Sequence, residues 1–282
     1  MALARAYEEN EVGSELRRIY AEIRTNFDLP FVPTVFKNIA AVPPYLKGMW
    51  RDLGPVAASR EFHAASVALG DFVRAQAVGG GWRLHDQERM LAEQKISTGD
   101  MPVLAGVVGV FVRTLPSLLI FVRLMQCGYH GGQKGRVSAG KQAPALSRLI
   151  TLHVPNERDA SLRAWLIYAD IRRTTKSKTV MSLYRALSPF PSYLASAWGD
   201  SKSVLADKNF QRASEEISQR AGVLLHGIPV RDHQEILKEL SPTQAREIRE
   251  TVDECVAALP TLSLLTAVWR RSFNNARIGK AA

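Results

Sequence analysis

The sequence predicts an all-α fold built from two pseudosymmetric helical repeats, with a site between them. Apolar residues recur at helical spacing along most of the chain, and no run of alternating β-branched residues is long enough for a sheet. Residues 20–65 also align without a gap on residues 168–213, with 14 identities in 46 positions. Unrelated segments would share roughly 3. This period is far longer than that of a solenoid unit, so we predict a duplicated half rather than an array.

Large aromatic side chains stand at matching places in the two copies. Tyr45 aligns with Tyr193, and Trp50 aligns with Trp198. Side chains of this size carry much of a core, so we predict that both pairs pack in the interior. Positions whose chemistry differs between the copies, such as Asn38, which aligns with an alanine, are better candidates for function.

The predicted helices follow the same order in both copies. In the first copy Ser14 is expected to cap the first helix, and prolines divide the segment 30–50 into short helical pieces. Further helices of this copy are expected over residues 59–77, 85–95 and 104–125. Those of the second copy are expected over residues 160–174, 205–225, 242–259 and 261–273. We read the apolar run 101–125, which contains Pro116, as a buried helix pair.

The chain is expected to form one compact domain in three parts. Residues 1–127 form the first repeat, residues 128–148 a linker, and residues 149–282 the second repeat. The linker contains five glycines together with several charged residues, which is typical of a flexible connector.

Composition indicates a soluble globular protein. Hydrophobic residues make up 46% of the chain and charged residues 23%. The two cysteines suggest no disulfide framework, and the first residues lack the pattern of a signal peptide. We therefore expect a cytoplasmic protein in which the apolar run 101–125 is buried in the core rather than in a membrane.

The net charge of +10 raises the question of an anionic partner. Lys and Arg are spread over the whole chain, and no zinc-finger spacing or RNP-type aromatic motif accompanies them, which argues against nucleic acid. The pairs His85-Asp86 and Asp232-His233 fit no metal-binding spacing, so we expect neither a metal nor another cofactor. A small molecule is the expected partner, and a homodimer is left open.

Both copies resemble one known family in a proline- and aromatic-rich block. In the first copy the block is residues 30–40 (Pro-Phe-Val-Pro-Thr-Val-Phe-Lys-Asn-Ile-Ala), and in the second it is residues 180–187. It resembles the group I 2-haloacid dehalogenases, the D- and D,L-specific enzymes. The resemblance implies an all-α fold of two halves with a buried site between them. It also implies a hydrolase mechanism in which an aspartate of the second copy activates the water that displaces halide, assisted by an asparagine of the first copy.

The chain departs from the family pattern at both of these positions. Ser182 and Tyr184 match the neighbours of the family's aspartate, but Leu183 occupies its place. Pro116 matches the residue after the family's asparagine, but Leu115 occupies that place. A leucine has no lone pair with which to deprotonate water, so the family mechanism cannot run on these residues.

Three hypotheses follow for the function. The first is a divergent enzyme that acts on a small carboxylic acid, or a related small molecule, by a reassigned mechanism. Thr34, Asn38, Ser182 and Tyr184 would line its pocket, and His63, which aligns with a glutamine, is a candidate base. The second is a non-catalytic protein that binds a small molecule in the same cavity. The third is a basic adaptor for nucleic acid or an acidic partner.

Overall fold

A computed structural model describes residues 5–84, 100–128, 152, 154–230 and 235–278. Within these ranges every regular element is a helix, which confirms the predicted all-α class. The expected helix at 85–95, nearly all of the glycine-rich linker and the two His–Asp pairs lie outside the described residues.

The described part of the first half begins with a short 3-10 turn, Glu9–Glu11, and continues with five α-helices. They are α1 (Ser14–Asn26), α2 (Thr34–Ile39), α3 (Pro43–Ala57), α4 (Arg60–Gly79) and α5 (Asp100–Gln126). The described part of the second half begins with a matching 3-10 turn, Glu157–Asp159. Its α-helices are α6 (Leu162–Thr175), α7 (Ser182–Ala186), α8 (Pro191–Ala206), α9 (Lys208–Leu224), α10 (Glu235–Lys238) and α11 (Pro242–Ile278).

The two longest helices, α5 and α11, form the centre of the fold. They make the most extensive helix–helix contact among the described elements. Each continues through an internal proline, Pro116 or Pro260, so the expected helix pairs at these two places were wrong. A proline removes one intrahelical hydrogen bond, and burial of apolar side chains on both sides of it offsets that cost.

Both central helices are also long and apolar enough to cross a bilayer. The most apolar 18-residue window has a mean hydropathy of 2.0 within Pro102–Gln126 and of 1.3 within Pro242–Phe273. Of their most apolar windows, 56% and 72% are buried inside the protein. Their apolar character is therefore used in packing α5 and α11 against each other and against α4.

The four helices α1 to α4 of the first half have counterparts in α6 to α9 of the second. Each counterpart begins 148 residues after its partner. The local capping differs from the prediction at two points. Gly13, not Ser14, is the N-cap of α1, and the helix expected over 205–225 is interrupted at Asp207. The Asp207 carboxylate accepts hydrogen bonds from the backbone N–H groups of Asn209 and Phe210, so a new helix begins there. Ser59 caps the matching helix of the first half in the same way.

A tryptophan–carboxylate hydrogen bond fastens the first helix of each half to the third. Trp50 Nε1 donates to Glu22 at 2.7 Å, and Trp198 Nε1 donates to Asp170 at 2.9 Å. Both indoles are buried, as the matching aromatic positions predicted. The duplication itself stays a prediction, to which these matching bonds add support.

Asp170 is expected to make stability depend on pH in the acid range. Hydrogen bonds from Lys202 and Trp198 lower the pKa of its carboxyl from 3.8 to about 2. The folded state thus binds fewer protons than the unfolded state, so this contribution is present above pH 3.8 and is lost as the pH falls toward 2. The melting temperature of Asp170→Asn should therefore fall less steeply than that of the wild type as the pH is lowered over this range. Glu22→Gln is the control, because it keeps Asp170 and should retain this part of the acid dependence. Parallel pH profiles for the wild type and Asp170→Asn would contradict the assignment.

Candidate ligand cavity at the seam of the two halves

The two halves meet at a pair of hydroxyl groups. Thr34 opens α2 and Ser182 opens α7, and the two residues are 148 positions apart. Their Oγ atoms lie 2.7 Å apart, and the backbone N–H of Thr34 also donates to Ser182 Oγ at 3.4 Å. Matching residues of the two copies therefore touch, and we call this contact the seam.

A small cavity of about 40 Å³ lies beside this pair and has mostly apolar walls. It is lined by Leu29, Phe31, Pro33, Thr34, Val35, Phe111, Thr114, Leu115, Leu118, Met181, Ser182, Leu183, Cys255, Leu259 and Leu262. Such a volume holds about three water-sized groups. The cavity therefore suits a very small ligand.

The polar groups of the cavity wall either form hydrogen bonds within the protein or are unreactive at neutral pH. Thr34 and Ser182 bond to each other, and Thr114 Oγ1 donates to the carbonyl of Val110 at 2.9 Å. Burial raises the pKa of the Cys255 thiol to about 12, so it stays protonated and is a poor nucleophile. Among the described residues that line the cavity there is no Asp, Glu or His. This wall therefore offers no general base at neutral pH.

Comparison with known proteins identifies the family. The family model described as halocarboxylic acid dehydrogenase DehI matches residues 30–184 and 179–282. The chain belongs to the DehI family. This confirms the resemblance to the 2-haloacid dehalogenases that the two proline- and aromatic-rich blocks indicated.

Two curated relatives of the chain carry the name (R)-2-haloacid dehalogenase. The one from Pseudomonas putida is 26% identical over 237 residues, which cover 81% of this chain and 77% of the relative. The one from Rhizobium sp. (strain NHG3) is 22% identical over 236 residues, which cover 81% of this chain and 90% of the relative. In both cases most of each chain takes part in the match.

Solved structures show that the fold is shared. The complex of a D-2-haloacid dehalogenase with L-LA has a TM-score of 0.83 and 24% identity, and covers 96% of this chain and 97% of that one. The complex of a D-2-haloacid dehalogenase mutant with D-2-CPA has a TM-score of 0.80 and 24% identity, covering 98% and 96%. The chain therefore shares the fold of these D-2-haloacid dehalogenases.

Of the four residues expected to line a substrate pocket, two lie at this cavity. Thr34 and Ser182 do, together with Leu183 and Leu115, which we predicted from the sequence to stand in place of a family aspartate and asparagine. Leu183 is 1% exposed, so its side chain is enclosed at the seam. The candidate positions of the two repeats thus converge on one apolar space.

The other candidates face different surroundings. Asn38 lines a polar cleft on the other side of Thr34, and Tyr184 lies beside the rings of Trp198 and Trp269 and lines an outer groove. His63 is exposed on α4 and does not line the cavity.

The outer groove adjoins the cavity. It is about 670 Å³ in volume and lies mostly between α6, α9 and α11. Met181 and Leu262 line both the groove and the cavity, so these two side chains separate them. Methionine is flexible and adapts its shape, which suits it to such a position.

Thr114 and Cys255 are among the cavity residues that sequence reasoning missed. Thr114 stands directly before Leu115, so the family motif could have indicated it. Cys255 lies at the cavity because α11 packs against α5, and no local sequence pattern predicts that contact.

Proposed function

We propose that this DehI-family chain binds a small, largely apolar molecule in the seam cavity and does not perform the family's hydrolysis. The observation that supports this most directly is the enclosed side chain of Leu183 at the place that the resemblance gives to the water-activating aspartate. No described side chain of the cavity wall replaces that carboxylate.

Both substitutions change the cavity in the same direction. Leu183 and Leu115 present methyl groups where the family pattern places a carboxylate and an amide. A charged ligand would lose its hydration without gaining a partner there, at a cost of several kcal/mol or more. An uncharged ligand instead gains contact with aliphatic walls, and apolar cavities of this kind stay dry and take up such molecules.

An enzyme with a reassigned mechanism is the alternative. The groove that adjoins the cavity at Met181 and Leu262 favours it, because movement of these two side chains would give the entry path that a turnover site needs. Its base would have to come from outside the described lining residues, since the hydroxyls of Thr34 and Ser182 bond to each other and no described base reaches them. This hypothesis, the cytoplasmic location and a homodimer remain predictions.

Halide release and xenon uptake together test the proposal. The wild-type chain should release no halide from either enantiomer of 2-chloropropionic acid above the rate in buffer. Xenon should bind saturably by xenon NMR, because it occupies dry apolar cavities. Leu118→Phe, which fills the cavity wall, should weaken this binding, whereas Leu166→Phe on the exposed face of α6 should not.

Each half of the proposal can fail separately. Halide release from either enantiomer would contradict the loss of hydrolysis. Absence of saturable xenon binding in a folded wild-type chain would contradict the binding function.

A further inference from the structure

A polar cleft of about 370 Å³ lies at the seam and is distinct from the apolar cavity. The two spaces share a single lining residue, Thr34. The cleft has the volume of a small-molecule site. Its ionisable lining residues among the described part of the chain are five cations, Arg5, Arg158, Arg172, Lys178 and Arg185, and three carboxylates, Glu8, Glu11 and Glu157.

Ion pairs at the rim account for most of these charges. Arg5 pairs with Glu11 at 2.9 Å, and Arg172 pairs with Glu157 at 2.6 Å. Lys178 is engaged by Glu254, which lies outside the cleft, at 3.1 Å. These pairs leave Glu8, Arg158 and Arg185 as the lining charges that they do not neutralise.

Glu8, a carboxylate of the cleft lining, is shared by two buried cations, of which Arg185 lines the cleft and Lys37 does not. Lys37 on α2 and Arg185 on α7 occupy matching places in the two copies, and their side chains are 9% and 3% exposed. Glu8 bonds to Lys37 Nζ, and its other oxygen lies 3.7 Å from Arg185 Nη2. The residue that matches Glu8 in the second copy is the neutral Asn156, so no second carboxylate is supplied from there.

Arg185 has a donor that the described protein groups do not use. Its Nε donates to the carbonyl of Pro155 at 2.8 Å, and Nη1 reaches Thr34 Oγ1 at 3.5 Å. Within the described residues, Nη2 has no acceptor at hydrogen-bond distance, although the side chain is almost fully buried and lines the cleft. Burial lowers the pKa of both Lys37 and Arg185, which reflects the cost of holding two cations here.

We propose that this cleft binds a small organic carboxylate, with a carboxylate oxygen accepting a hydrogen bond from Arg185 Nη2. A guanidinium is planar and matches a carboxylate in shape and charge. An anion at this point would also compensate the excess buried positive charge, which is otherwise costly. The side chains of Asn38 and Asn156, both in the lining, provide amide groups for the rest of the ligand. This assignment does not depend on the function proposed for the apolar cavity.

Calorimetric titration at constant ionic strength tests the site. Lactate should bind saturably, whereas lactamide, its neutral analogue, and chloride should not compete. Arg185→Gln should weaken lactate binding by about tenfold or more, the change that corresponds to one hydrogen bond from a charged group. Arg24→Gln is the matched control, because Arg24 occupies the place in the first half that Arg172 has in the second, away from the cleft.

The variant Glu8→Gln tests carboxylate binding in the cleft even if Arg185→Gln does not fold. Removing the one carboxylate leaves Lys37 and Arg185 without their shared partner, so lactate should bind more tightly. Equal or weaker binding in a folded Glu8→Gln chain overturns the proposal, as does equal competition by chloride. Leu118→Phe should leave lactate binding unchanged, so a failure of this site is distinguishable from a failure of the apolar cavity.

Discussion

Replacing Leu183 by Asp together with Leu115 by Asn is expected to produce halide release from a 2-chloro acid where the wild type shows none. Both side chains face the same cavity, so the double variant places a carboxylate and an amide in one enclosed space. A positioned base typically contributes about 10²–10⁴-fold to a rate. The variant would therefore regain the two groups that the family resemblance assigns to water activation.

The same change should carry a stability cost and a pH signature. A carboxylate at a position that is 1% exposed in the wild type is surrounded mainly by aliphatic groups, which should raise its pKa. The ionised form acts as the base, so halide release should increase as the pH rises through that raised pKa. Burying the polar group should also lower the melting temperature relative to the wild type.

The matched control is Leu183→Asn with Leu115→Asn. It introduces similar volume and polarity without a base, so it should fold and release no halide. A folded, inert Leu183→Asp, Leu115→Asn chain would mean that the catalytic places have been assigned to the wrong residues.

Replacing Phe121 by Ala is expected to lower the free energy of unfolding by about 3–5 kcal/mol, a large part of the roughly 5–15 kcal/mol that holds a typical domain together. Phe121 is fully buried on α5, in the middle of the first half. Its ring centroid lies 5.2–6.3 Å from those of Phe27, Phe36, Trp50 and Phe62. Loss of the ring removes contacts with all four at once and leaves a void.

Denaturant unfolding measures this effect, with Phe72→Ala as the control. Phe72 is only partly buried on α4, so the same change there should cost clearly less. A cost of less than about 1 kcal/mol for Phe121→Ala would show that the neighbouring rings collapse into the space. Since α5 also carries Leu115, we expect the variant to loosen the cavity wall as well.

Part of the candidate site followed from the sequence because the family motif is local. Thr34, Ser182, Leu183 and Leu115 were singled out from their neighbours in the chain, and all four meet at the cavity. Tyr184 was grouped with them, but it lies two residues after Ser182. Two residues along an α-helix correspond to a rotation of about 200° around its axis. The side chain of Tyr184 therefore faces the outer groove and not the cavity.

Asn38 illustrates a different limit of motif reasoning. It lies one turn after Thr34 on α2, about 6 Å further along the helix axis. That distance is enough to place it at the polar cleft rather than at the cavity. Whether two residues of one short helix share a site depends on how the helix is packed, and the motif carries no information on that.

The sequence by itself determined the helical class, the family and the aromatic packing positions, because periodicity and motifs are encoded within a few neighbouring residues. The tertiary structure decided whether the helices continue through Pro116 and Pro260, since the contact between α5 and α11 outweighs the local penalty of each proline. It also decided that Lys37 and Arg185 share one carboxylate, because long-range packing alone brings these distant charges to a common buried point.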